Sequence, residues 1–365
     1  MIDKNLDLPR FLQLYQLLKA EIISGKYACY EAIPSQQQLI DTYQVSLITV
    51  RRALEKLSAD GYIQRRQGKG CFVAPATDWQ INRSQVLQIG VIVSSITNSF
   101  FPEIIQGMEQ YLRTVNAQLT IAHSQWEAGQ ERSHIKRFLS QGGDGLLISP
   151  SQELAAYQKL QAEGARLVFF NHYFPGTDFP YVITDDREGV KMAVSHLIAK
   201  GHRRIGAVIG GAGKATARDR LAGFAAAFAA AGLEWQENWI SRQKTFTYDE
   251  GVEGARELFA REPALTAIFC SSEVLATGTT AYLLNRGYRI PEQMSLVAFG
   301  DSDTARFFKI PLTTVAQPTA AMGEAAARLL VERIQGRPAA SQQIVLPCQL
   351  VIRDSTAAVR NVIEK

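Results

Sequence analysis

Cysteine and histidine are scarce: the 365 residues hold four Cys and five His. The cysteines (Cys29, Cys71, Cys270, Cys348) lie far apart and form no CxxC pair, which excludes a disulfide scaffold and a cysteine zinc ribbon. The histidines show no HExxH spacing, so no helical zinc-protease site is present, and neither metal nor cofactor is expected. No apolar run approaches the ~20 residues that span a bilayer. No basic start followed by an apolar stretch and a small-residue cleavage site opens the chain, so a cytoplasmic protein without membrane association is expected. Charge of one sign is also lacking. Lys and Arg number 39 against 35 Asp and Glu, which rules out a uniform coat on nucleic acid but leaves room for a local basic patch.

That patch exists. Residues 1–75 carry ten basic and seven acidic side chains, whereas 76–365 carry 29 and 28. Within the first part, residues 46–75 alone hold six basic and two acidic groups. The periodicity there predicts a helix from about Pro9 to Ser24, with Phe11, Leu14, Tyr15, Leu18 and Ile22 on one face and Gly25 as its stop. Ser35 caps a second helix over Gln36–Tyr43, and Gln44-Val45-Ser46 turns into a third over Leu47–Asp60. YIQRRQGKGCFV then reads as strand, tight basic turn and strand, with Lys69 at the tip. Three helices and a basic hairpin make a winged helix-turn-helix, whose third helix fits a major groove while the wing reaches phosphates or the minor groove. A small scaffold bundle with a solvated hairpin is the alternative, and the charge asymmetry and turn spacing weigh against it.

Residues 76–85 read as a linker. Beyond it, short β-branched runs (LQIGVIVSS, DGLLISPS, RLVFFNH, RRIGAVIGG, LTAIFCSS, MSLVAFGD) alternate with helical patterns, as in βαβ units with parallel sheets. Ligand contacts in such sheets lie at the carboxyl ends of strands. Those ends supply Asn98, Phe100, Phe101, Trp126, Ser149, Asn171, His172, Arg218, Ser272, Glu273 and Asp301. Aromatic faces mixed with Asn, Arg and Asp suit a sugar. Ordinary roles stand beside these. Phe100, Phe101 and Phe170 are also natural core residues, Glu273 a natural helix start, and Asp185 and Asp186 natural caps. Enzyme readings fail. Gly210–Lys214 lacks both the first glycine and the Ser/Thr of a phosphate loop, and no GxGxxG or GxSxG occurs.

YQLLKAEIISGKY, IPSQQQLIDTYQVS, TVRRALEKLSADGYI and QGKGCFV together resemble the DNA-binding domain of the GntR family. The resemblance implies DNA contacts from Ser35, Ser46, Thr49, Arg51, Arg52, Lys69 and Gly70. Gln37 and Leu47 stand at contact positions where that family commonly has arginine, and Leu47 with Ile48 offers apolar contact to thymine methyls instead. The remainder resembles the effector domain of LacI-type repressors and periplasmic sugar-binding proteins, most clearly in GHRRIGAVIGG…TARDRLAGFAAAFAAAGL, LTAIFCSSEVLATGTTAYLLNRGYRIPEQMSLVAFGD and PLTTVAQPTAAMGEAAARLLVERIQGR. That resemblance implies Arg218 as the ligand arginine and Phe100 and Phe101 as stacking aromatics. It puts Ser272 and Glu273 at a site usually Asn-Asp, and Gln317 on a crossover between lobes. Gly300 replaces the first aspartate of the usual ligand turn.

The expected architecture is an α+β winged helix-turn-helix (1–75) followed by a two-lobed α/β periplasmic-binding-protein-like domain (86–358). The first lobe is expected at about 86–183 and 315–341, the second at about 184–314 and 342–358. The function that follows is a dimeric, ligand-responsive transcription regulator, a repressor released from operator DNA by a sugar-like effector. A non-exported sugar-binding protein of the same fold is the alternative.

Overall fold

The structure is a computed structural model that describes residues 9–66, 70–75, 86–96, 100–307, 309–337 and 341–359. The head begins with α1 (Arg10–Ile23), whose Leu14, Tyr15, Leu18 and Ile22 are buried, and Gly25 follows at φ +79°. Ser35 starts α2 (Gln36–Tyr43) with a capping box completed by Gln38. Gln44, in the left-handed region at φ 52°, turns the chain, and Ser46 caps α3 (Leu47–Ala59). Val50, Ala53, Leu54 and Leu57 of α3 face inward. They share one core with α1, α2, β1 (Ile63–Arg66) and β2 (Gly70–Val73). The two strands pair antiparallel from Ile63↔Val73 to Arg66↔Gly70.

The second part alternates strictly. β3 (Leu87–Val93), α4 (Phe100–Thr114), β4 (Ala117–His123), α5 (Ala128–Ser140), β5 (Gly145–Ile148), α6 (Leu154–Ala162), β6 (Leu167–Phe170) and β7 (Tyr181–Thr184) build the first lobe. The second holds α7 (Asp186–Ala199), β8 (Ile205–Ile209), α8 (Ala215–Ala230), β9 (Ile240–Arg242), α9 (Tyr248–Arg261), β10 (Ala267–Cys270), α10 (Glu273–Asn285), β11 (Ser295–Phe299), α11 (Asp303–Phe307) and β12 (Thr313–Ala316). The chain then returns through α12 (Thr319–Ile334) and β13 (Gln343–Leu346) to the first lobe and ends with β14 (Gln349–Val351) in the second. Each lobe is a six-stranded sheet, β13-β7-β6-β5-β3-β4 and β14-β12-β11-β10-β8-β9, parallel throughout except for β12 against β14. The architecture is therefore a helix-turn-helix head followed by a two-sheet parallel α/β domain.

Two lobe limits shift. β13 pairs with β7, so residues 343–346 belong to the first lobe and the last crossing falls at Pro347-Cys348 rather than near 341. β12 pairs with β11, so Val315 and Ala316 stay with the second lobe. The limits near 75–86 lie in the undescribed stretch 76–85.

Glycines set the helix spacing in both lobes. A Cβ on Gly323 of α12 would lie 1.9 Å from the Ile104 carbonyl of α4, and one on Gly107 of α4 2.1 Å from the Ala320 carbonyl. In the second lobe Gly251 and Gly278 bring α9 and α10 equally close. The obstructing atoms are backbone, so the helices must part to admit a methyl. Gly323→Ala is expected to cost about 1–3 kcal/mol by overpacking. Gly129→Ala on α5, with nothing within 4 Å of the new methyl, should be neutral or slightly stabilising. Denaturant midpoints of the two variants check this.

Candidate functional site

The outer face of α3 is polar and basic with an apolar start. Ser46 Oγ lies 2.9 Å from Thr49 Oγ1 and accepts from the Thr49 N–H, which fixes the first turn. Leu47 and Ile48 are 41% and 68% exposed. Arg51 and Arg52 are exposed beside them, and the Arg52 guanidinium lies 5.9 Å from the Phe11 ring centre, which preorganises it. Gln37 is exposed on α2 and donates to Asp41. Arg65 and Arg66 are exposed on β1, and Gly70 opens β2 at φ +103° with open space around it. Of the expected DNA contacts, Ser35 and Ser46 act as caps and Lys69 lies outside the described residues. The rest sit on α2, α3 and the hairpin of one small domain.

Between the lobes, the strand ends converge. Arg220 of α8 is buried. Its Nε donates to Asp186 (2.8 Å) and its Nη1 to the Ser271 carbonyl (2.6 Å), with the guanidinium 4.2 Å from the Phe299 ring centre. Thr184 donates to the other Asp186 oxygen (2.5 Å) and accepts from Gln317 Nε2 (2.9 Å), so both early crossings between lobes meet at this pair. Arg218, the arginine expected to hold the ligand, is exposed on α8. The reason is helical phase: Thr216, Arg220, Gly223, Phe224 and Ala227 form the buried stripe, and residue 218 falls outside it. Asp185 caps α7 as expected, but Asp186 is the partner of Arg220 and no cap.

The aromatic pair at the start of α4 divides. Phe101 is 3% exposed and packs with Ile104, Met108 and Phe170 in the first lobe's core, because α4 turns the 101, 104 and 108 positions inward. It is a core residue, correcting its expected ligand role. Phe100 instead lines a cavity with Glu103, Glu273, Gly300, Asp301, Ser302, Gln317 and Thr319. Asn98 lies outside the described residues. Trp126 is half-buried, 5.6 Å from His172 in its own lobe and 5.8 Å from Phe246 of the second. Asn171 is buried at φ 64°, and Ser149 is buried with no partner for its hydroxyl among the described residues.

The acidic side differs from expectation. Asp301 spends its carboxylate inside its own lobe, 2.6 Å from Arg353 and accepting from Thr314. Ser272 caps α10 through the Leu275 N–H. Glu273 accepts from the Ser302 N–H (2.7 Å) and lies over Gly300, where an added Cβ would meet it at 3.3 Å. The absence of a side chain at residue 300 is thus filled by Glu273. Burial pushes its carboxyl above the ordinary range.

The lobes are latched together. His172 Nδ1 lies 2.9 Å from the Thr216 hydroxyl, Tyr173 donates to Asp219 (3.0 Å), and the cavity beside Phe100 is about 20 Å³, room for a single water. Burial, with Lys214 and Arg220 nearby, pushes His172 down to about 3, so the ring is neutral. An unfolded histidine takes its proton near 6.5 and this folded one only near 3. The unfolded state therefore holds more protons between those values, and stability falls as the pH drops through that window. His196 and His202 are displaced the same way by burial. His172→Gln should therefore flatten, without abolishing, the decline of melting temperature from pH 6.5 to 4.

Asp186, Arg220, Thr216, Phe246 and Glu103 were not among the expected residues. The arginine in phase with an apolar helical stripe was the one readable signal. Among the described residues no metal-holding cluster and no membrane-spanning helix occurs.

A recognition helix in a basic head, joined to two lobes that close on a polar cleft, defines a DNA-binding regulator with a sensor domain. Residues 11–73 match the family described as bacterial regulatory proteins, gntR family, and 194–356 match the periplasmic binding protein-like domain. The chain is 29% identical to the arabinose metabolism transcriptional repressor of Geobacillus stearothermophilus over 97% of its length and 99% of that repressor. It is 31% identical to the transcriptional repressor PurR of Photobacterium profundum, over 73% of this chain and 80% of that one. The solved complex of the regulator CelR with cellobiose shares 29% identity and a TM-score of 0.70, covering 86% of this chain and 92% of CelR. The chain belongs to the LacI-type transcriptional repressors, with a GntR-type head, and is a regulator rather than an enzyme.

Proposed function

We propose that this chain is a cytoplasmic, homodimeric repressor of carbohydrate metabolism or transport genes. It leaves its operator when a sugar or sugar derivative binds between the lobes. The observation that carries this reading is the buried Arg220–Asp186 pair at the lobe crossings, in a chain that also bears an exposed basic α3. Arg220 commits Nε and Nη1, and Nη2, for which no partner is seen among the described residues, can bond a ligand oxygen. Trp126, Phe246 and Phe100 supply apolar faces for sugar C–H groups, and Ser149 supplies an unpaired hydroxyl. Relatives that handle arabinose and cellobiose support a sugar as effector.

The cavity beside Phe100, about 20 Å³, has no room for a sugar, so binding there requires the lobes to part and re-close around it. A ligand shifts that equilibrium only by its differential affinity, typically ~1–3 kcal/mol between coupled sites. Two heads on a dimer would meet two half-sites, and re-closure changes their spacing. The test is a thermal-shift series on the full protein with L-arabinose, D-ribose, cellobiose and their phosphorylated forms. A true effector at a hundredfold excess over Kd adds ~2.7 kcal/mol of stability, whereas a mere osmolyte acts without saturation.

A further inference from the structure

We propose that Leu47 and Ile48 read thymine by its 5-methyl group, so that this head selects thymine where arginine-bearing heads would select guanine. The inference rests on the reading of α3 as the recognition helix. In helix-turn-helix docking the first residues of the recognition helix are those that reach base edges. Leu47 and Ile48 are the first two residues of α3. They are 41% and 68% exposed, and they are the one adjacent pair among the large apolar side chains that stand exposed on the described surface. The inward face of α3 is already filled by Val50, Ala53, Leu54 and Leu57, so these two side chains contribute nothing to the head's core.

An exposed apolar pair at the start of an otherwise polar, basic face is suited to an apolar group on the surface it docks against. Leu47 and Ile48 are followed one turn on by the exposed Arg51 and Arg52 of the same helix. That charge beside the apolar pair matches a phosphate backbone and disfavours an apolar protein partner. In the major groove the thymine methyl is the one apolar group a base presents to such side chains. The first turn cannot swing away, because Ser46 and Thr49 lock it by their hydroxyl contact and cap. The sequence that results is a thymine opposite the start of α3 in each half-site.

The experiment starts with the full-length protein and a random-sequence duplex library, from which the preferred site is selected. Each thymine of that site is then replaced singly by deoxyuridine, which removes only the methyl, and binding is read by fluorescence anisotropy. Removal of one buried methyl should weaken binding about fourfold at one or two positions per half-site. In Ile48→Ala the difference between thymine and uracil should shrink toward one at the same position, a result that a folding defect would not produce. Leu47→Arg should move the selected base toward guanine, since arginine bonds O6 and N7 together. A site in which every uracil duplex binds like its thymine parent overturns the inference while leaving DNA binding intact. So does a selected site with no thymine opposite α3. Failure to select any sequence strikes instead at the reading of the chain as a DNA-binding repressor, and with it this inference.

Discussion

Arg220→Ala is expected to lower the melting temperature by on the order of 10 °C and to abolish any response to sugar. Removing one member of a buried ion pair costs about 3–5 kcal/mol, because the other charge is left without its partner. Here the stranded group is Asp186, which is 4% exposed and, among the described residues, keeps the Thr184 hydroxyl as its side-chain donor. The Ser271 carbonyl loses its donor as well. Arg218→Ala, two residues away and exposed, should change stability by less than about 0.5 kcal/mol. A double variant, Arg220→Met with Asp186→Leu, separates scaffold from recognition. Apolar replacement of both charges should recover most of the stability. The ligand response should stay lost, since the bonding nitrogens are gone. Melting curves with and without sugar on the four proteins decide it. If the double variant still responds to sugar, Arg220 supports the fold and does not bond the effector.

The second large effect is on DNA. A dimer whose heads neutralise about six to ten phosphates should lose on the order of 10³–10⁵ in operator affinity between 50 and 200 mM salt. Arg51→Ala, at an exposed position, should weaken all sequences alike and reduce the salt slope. Arg52 lies beside the Phe11 ring, and a base contact from it would make Arg52→Ala cost about 1–3 kcal/mol and relax preference at one position. Anisotropy titrations at several salt concentrations, on selected and scrambled duplexes, separate the two roles. Affinity independent of salt would remove α3 and the wing from the interface.

How much of this was legible depended on how strongly burial marked the sequence. β3, β5, β6, β8, β10 and β11 are buried along nearly their whole length, and their continuous β-branched runs announced them. β4 and β13 are partly exposed, mix polar with apolar residues and gave no such run, which is why the last lobe crossing was misplaced. The head was readable to within a residue or so at its helix limits because caps and turns (Ser35, Gln44, Ser46, Gly25) stand at each end. The cleft was harder. Arg218 and Arg220 look alike in the string, and only the phase of the Ala-rich stripe on α8 tells the exposed one from the buried one. Phe100 and Phe101 pose the same problem on α4. The partnership of Arg220 with Asp186 joins residues 34 apart, and Glu273 over Gly300 joins the start of α10 to the turn after β11. Contacts of that kind leave no local periodicity.

The claim that joins the two halves of the molecule is that a sugar in the cleft changes how the heads hold DNA. It is tested most directly by anisotropy of the full-length protein on its selected operator, titrated with L-arabinose, D-ribose and cellobiose. The account predicts that the sugar which raises the melting temperature also weakens operator binding, by about five- to 150-fold for a coupling of ~1–3 kcal/mol, and that Arg220→Ala removes this release. A sugar that stabilises the protein at saturation yet leaves operator affinity unchanged would contradict it.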